Sequence, residues 1–154
     1  MIALLFEVAG QRYGLDIAQV VKVLPYVQLR SLPGVPDYVA GVFCYRDQMV
    51  PVIDLSQLIR GKPVAAMLST RIILVKHPGQ PGQSGRVLGL LGERATDGLN
   101  DVATEPIASG IAVPEAPYLG GLSVAGVGSM IQYVKVENLL SEDLRQRLFA
   151  DNQP

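Results

Sequence analysis

Cysteine is almost absent. The single residue, Cys44, has no partner for an internal disulfide, which suits a reducing compartment. An excess of one charge is absent too: 13 Lys and Arg stand against 14 Asp and Glu, a formal net charge of -1. With no basic surplus to neutralise phosphates, nucleic acid and anionic membrane are excluded as main partners. No apolar run reaches the length of a membrane span. The start, Met1 to Phe6, is apolar but has no basic head, and Glu7 interrupts it. It reads as a first strand rather than a signal peptide, and the chain is expected in the cytoplasm. The equipment of catalysis is also missing. One histidine, His77, and one cysteine far from it cannot close a zinc site. There is no Ser–His–Asp signature, nucleophile elbow or phosphate-cradling loop. Gly126-Val127-Gly128-Ser129 lies between strands, whereas a dinucleotide fingerprint needs a following helix. Asp54 and Glu137 fall at element ends, where helix capping accounts for them. No catalytic residue, cofactor or metal is expected.

What is present is apolar mass: 49% of 154 residues are hydrophobic and only 18% are charged. That is enough for one domain with a filled core. The organising stretch is Tyr38 to Ile59. It reads as a strand, a turn at Arg46-Asp47-Gln48, a second strand and one helical turn opened by Asp54. Residues Val42 to Tyr45 are apolar on both faces, and Cys44 reads as an ordinary core thiol. The stretch recurs. Met49 to Ile59 can be laid on Met130 to Leu140, and Leu32 to Val42 on Val113 to Leu122 with one residue dropped. Tyr13-Gly14-Leu15 matches Leu88-Gly89-Leu90. Three matches in the same order, with shared Pro, Tyr and Gly punctuation, indicate an internal duplication.

In chain order, Ala3–Val8 and Tyr13–Asp16 form a hairpin, and Ile17–Val20 a helical turn before extension resumes to Leu24. Gln28–Leu32 reads as a short strand, stopped by the turn Pro33-Gly34-Val35-Pro36. Gly61 to Ser69 separates the halves. Thr70–Lys76 and Val87–Leu91 flank a flexible loop that leaves His77 solvated. A strand is expected within Leu99–Ile107, and a hairpin of Leu119–Ala125 with Met130–Val136. Ser141 caps a final helix with Glu142 and Asp143 in its first turn and Leu144 and Leu148 facing inward. Each half offers about five short strands, which close best as a small barrel that hides its edges. The expectation is a mainly β fold of two tandem five-stranded barrels and a C-terminal helix. Subdomain 1 covers about 1–62, subdomain 2 about 68–140, and the helix about 142–150.

The repeated element resembles the CheW-like domain, the adaptor module of bacterial chemosensory signalling. The resemblance rests on Pro33-Gly34-Val35-Pro36-Asp37-Tyr38-Val39-Ala40-Gly41-Val42, then Cys44-Tyr45-Arg46-Asp47, then Pro51-Val52-Ile53-Asp54-Leu55. Tyr13 to Ile17 and Tyr118 to Gly121 add to it, so it extends from about Leu4 to Leu140. It implies two pseudo-symmetric SH3-like barrels in a single CheW-like domain. It also implies a non-catalytic scaffold linking the cytoplasmic tip of a methyl-accepting chemoreceptor to the regulatory domain of a CheA-type histidine kinase. Such a chain works in the cytoplasm, at membrane-associated receptor clusters. With no kinase segments, it looks like a stand-alone adaptor. Val20, Gly41 and Arg46 hold positions that match the family's receptor contacts; kinase-binding residues are not indicated. Lys22 stands where the family usually carries Glu, a charge reversal beside the expected receptor face. Cys44, Tyr45 and Asp47 replace the usual Asn, Leu and Gly. These departures suggest a pathway-specific member. From the residues alone, the Arg46 fork suits a carboxylate or carbonyls on a partner helix, against a structural or solvated role. Val20, Val23 and Leu24 suit core burial more than an exposed lip. The alternative function is a two-barrel sensor that binds a small molecule or peptide in the groove between the two barrels.

Overall fold

The computed structural model describes residues 2–65, 68–78, 86–95, 100–101, 116–124 and 130–149. β1 (Ile2–Val8) and β2 (Gln11–Asp16) form the first hairpin. The Asp16 carboxylate accepts the Ala18 N–H at 3.0 Å and caps a 3-10 turn, Ile17–Gln19, which feeds β3 (Val20–Pro25). β4 (Val39–Tyr45) and β5 (Gln48–Asp54) form the second hairpin. α1 (Leu55–Arg60) follows directly. Asp54 starts it by accepting Ser56 N–H at 3.0 Å and Gln57 N–H at 3.2 Å on Oδ1, and holds Val64 N–H at 2.9 Å on Oδ2. The second half gives β6 (Thr70–His77), β7 (Arg86–Glu93), β8 (Asn100–Asp101), β9 (Leu119–Val124) and β10 (Met130–Val134). A 3-10 turn, Val136–Asn138, precedes α2 (Glu142–Leu148), where Ser141 Oγ accepts the Leu144 N–H at 3.2 Å.

Some expectations are corrected. Gln28–Leu32 is not a strand; only Arg30 bridges to Val42, with N–H to carbonyl bonds of 2.9 Å in both directions. The β4–β5 turn has two residues, Arg46 and Asp47, both left-handed at φ 49° and 64°, and Gln48 already belongs to β5. Of the strand expected in Leu99–Ile107, only β8 lies within the described residues, and the turn at Gly126–Ser129 lies outside them.

The strands fall into two five-stranded sets with matching pairings. One runs β3-β6-β7-β5-β4 and the other β8-β1-β2-β10-β9, joined by a bridge between Glu7 and Glu93. In each, the third and fourth strands are parallel and the other neighbours antiparallel. Each set takes strands from both halves of the chain. The first-half hairpin β4–β5 docks on second-half β7, and the second-half hairpin β9–β10 docks on first-half β2. The duplication and this exchange agree to the residue. Val52 lies opposite Gly89, and its repeat equivalent Tyr133 lies opposite Gly14, the equivalent of Gly89. A Cβ on Gly89 would stand 3.0 Å from Val52 Cγ2, and one on Gly14 3.2 Å from Ile131 Cγ2. Both glycines therefore let the exchanged strand approach closely. Asp54 N–H bonds Tyr38 carbonyl at 2.7 Å, and Lys135 N–H bonds Tyr118 carbonyl at 2.6 Å, again at equivalent positions. The repeats at 1–62 and 68–140 are thus units of sequence, while each barrel mixes both.

Three cores result. The interior of the first barrel, β3-β6-β7-β5-β4, holds Val50, Val52, Ile72, Leu74 and Leu91. The second holds Ala3, Ile131 and Tyr133. A larger core between them includes Leu4, Phe6, Leu15, Ile53, Ile73, Val75, Leu88, Leu90 and Leu144. β6 serves two cores, with Ile72 and Leu74 facing one way and Ile73 and Val75 the other, which explains its unbroken apolar run.

Two side chains differ from expectation. His77 is not solvated: it ends β6, is 2% exposed, and its ring lies 5.6 Å from that of Phe149 behind α2. Cys44 is exposed rather than in the core. Gly41, Phe43 and Tyr45 face the barrel interior, so Val42 and Cys44 turn outward, with Cys44 opposite the exposed Met49.

Candidate receptor-binding face

Of the residues expected to bind the receptor, two share one rung around the first barrel. Lys22 lies opposite Leu74, Leu74 opposite Gly89, Gly89 opposite Val52, and Val52 opposite Gly41. The rung crosses all five strands. The Arg30 segment closes the ring against β4, because the chain leaving β3 returns to bridge Val42.

Gly41 is buried. Its φ is 151°, and a Cβ would stand 2.5 Å from the Arg30 carbonyl oxygen and 3.0 Å from Leu29 Cβ. Only glycine admits that approach, so Gly41 acts by closing the barrel beneath the face. Val20 is half-buried and packs on the central core with Val23, while Leu24 packs on the first barrel's interior. The register shifts between Val20 and Lys22, which leaves Val21 as the extra residue of a bulge, 42% exposed. The exposed apolar contribution of β3 is therefore Val21, not Val20.

Lys22 and Arg46 are exposed. Arg46 sits at the hairpin tip with its guanidinium carbon 5.3 Å from the Tyr45 ring centroid, a cation–π contact that orients the fork. The tip belongs to the same barrel end as Val20. β6 ends where β3 begins, β7 starts beside it, and β5 runs parallel to β7. Sequence reasoning missed Lys76 at this end. It is exposed on β6, on the same face as Leu74. Its position after an apolar run marked a strand end, but nothing local revealed that β6 pairs with β3.

Residues 3–144 match the family model for the CheW-like domain. The chain belongs to the CheW-like family. It is 30% identical over 146 residues to the chemotaxis protein CheW of Klebsiella aerogenes, covering 91% of this chain and 81% of that one. It is 23% identical over 142 residues to the chemotaxis protein CheW of Helicobacter pylori, covering 90% and 80%. The crystal structure of the scaffolding protein TtCheW from Thermoanaerobacter tengcongensis matches with a TM-score of 0.71 at 25% identity, over 88% of this chain and 84% of that chain. The two five-stranded sets are the paired SH3-like barrels of this family. CheW-like proteins are non-catalytic adaptors that couple chemoreceptors to a CheA-type kinase, and this chain is such an adaptor.

Proposed function

We propose that this adaptor takes the cytoplasmic tip of a methyl-accepting chemoreceptor on its first barrel, with Lys22 and Arg46 as polar contacts, Val21 as an apolar one, and Gly41 and Val20 shaping the face from beneath. A second surface binds the regulatory domain of a CheA-type histidine kinase. The protein works in the cytoplasm, at membrane-associated receptor clusters, and serves one pathway. The observation that carries the receptor reading is the shared rung from Lys22 to Gly41, with Arg46 at the end of the same barrel. A receptor helix lying across this face would engage residues of β3 and of the β4–β5 tip together, helix-in-groove fashion. Each contact is weak alone; clustering many adaptors, receptors and kinases multiplies them. The test is retention of receptor tips and kinase regulatory domains from the same cell on immobilised adaptor. One tip and one kinase domain retained supports the reading. Equal retention of every tip refutes pathway specificity, and retention of none refutes docking.

A further inference from the structure

β3 and β6 bring together two lysines that are distant in sequence. Lys22 lies opposite Leu74, and Lys76 follows Leu74 by two residues on the same face. Diagonal neighbours across an antiparallel pair lie about 7–8 Å apart. Both lysines are exposed, and neither forms an ion pair with a described residue. Farther along this face, Leu24, Ile72 and Leu74 sink into the first barrel's interior. The lysines therefore stand where that interior opens to solvent.

Arg46 belongs to the same opening. Lys76 lies opposite Val87, and β5 beside it leads back to Gln48 and the Arg46-Asp47 turn. Val87, Phe43 and Tyr45, half-buried, pack on the interior core between these cations. Among the described residues, Glu137 acts on His77, the neighbour of Lys76, and two more carboxylates flank the strands and turn that carry the cations. Asp47 is exposed in the turn itself, while Asp16 is engaged as a cap by the Ala18 N–H. Lys22, Lys76 and Arg46 thus stand around an apolar floor, with Asp47 exposed beside Arg46 and Arg86 opposite His77 on the neighbouring strand. Two lysines that make no ion pair among the described residues repel each other at this spacing, and an anionic partner relieves that repulsion.

We infer that this barrel end selects an acidic helix face: a partner segment with carboxylates for Lys22 and Lys76, apolar residues over Phe43, Tyr45 and Val87, and a third polar contact at Arg46. The inference rests on the receptor reading above and deepens it by naming the chemistry of the tip. A tip that presents basic groups there is rejected by repulsion, so the cation pair sets specificity.

The test uses the full chain and a recombinant receptor-tip hairpin with Asp or Glu on its contact face, beside a version with those residues changed to Gln. Binding of the kinase regulatory domain serves as the control for an intact fold. Lys22→Glu with Lys76→Glu should weaken the acidic tip on the order of tenfold, mostly through a slower on-rate and a shallower salt dependence. Kinase binding should be unchanged, and changing the tip's acids to Lys should restore affinity. An effect within twofold, or equal binding of the Gln tip, overturns the inference while leaving the adaptor reading standing. Retention on phosphatidylserine vesicles that disappears with the same double reversal also overturns it, because the cations would then serve a lipid surface. Wild-type protein that binds neither tip nor kinase domain overturns the receptor reading itself.

Discussion

Replacing Gly41 with alanine should cost a large part of the protein's stability, and the reason is local. The new Cβ would meet the Arg30 carbonyl oxygen at 2.5 Å, and that oxygen is backbone rather than a flexible side chain. Relief requires moving the Arg30 segment, which breaks the two 2.9 Å bonds between Arg30 and Val42. Each is worth about 1 kcal/mol. Holding a residue with a Cβ at φ 151° adds about 1–2 kcal/mol. The sum, about 3–4 kcal/mol, is a large part of the roughly 5–15 kcal/mol available to a domain. The assay is urea unfolding followed by circular dichroism. Gly120→Ala is the control, because Gly120 is the repeat equivalent of Ala40, and the nearest atoms to a Cβ there lie at 3.5 Å. It should cost less than about 0.5 kcal/mol. A Gly41→Ala protein that unfolds within about 1 kcal/mol of wild type would refute the argument that this glycine closes the barrel.

Three further outcomes are expected. Burial holds the His77 pKa below the ordinary 6.5, opposed by a backbone hydrogen bond at Pro78, with Arg145 lowering it and Glu137 raising it. The unfolded chain then binds more protons than the folded one below about pH 6.5, so stability should fall as pH drops through that value, and His77→Gln should flatten the slope of urea midpoint against pH. Asp47→Gly should raise stability by about 0.5–1 kcal/mol, since the residue sits at φ 64°; an unchanged urea midpoint would contradict this. Fragments 1–65 and 68–154 should each fail to fold alone but assemble when co-expressed, because each lacks a hairpin that the other supplies; two independently folded fragments in gel filtration and circular dichroism would contradict the exchange.

Much of the fold was legible because its signals are local. The hairpins, the Asp54 and Ser141 caps and the repeat all follow from spacing and from residues with one conformational role. The exchange of hairpins was not legible. Parallel pairing of β5 with β7 leaves no mark that differs from pairing within each half, since both strands are apolar on two faces. The same two-faced pattern hid the parity of Cys44, because alternation carries no signal where every position is apolar. The burial of His77 depends on Phe149, far along the chain, and a glycine- and proline-rich flank pointed the other way. At the site, Lys22 and Arg46 could be named from sequence, whereas Lys76 emerged only from the register of β3 on β6. Gly41 could be named, but its role in closing the barrel needed the Arg30 carbonyl.

The central claim is that one chain holds two partners on separate surfaces, with the receptor on the first barrel. Calorimetric titration of wild type and Arg46→Ala with the receptor tip and with the kinase regulatory domain tests it most directly. Wild type should bind both, and Arg46→Ala should weaken the tip about tenfold while leaving the kinase domain unchanged. Undiminished binding of the tip by Arg46→Ala, or equal loss of both partners by a folded protein, would contradict it.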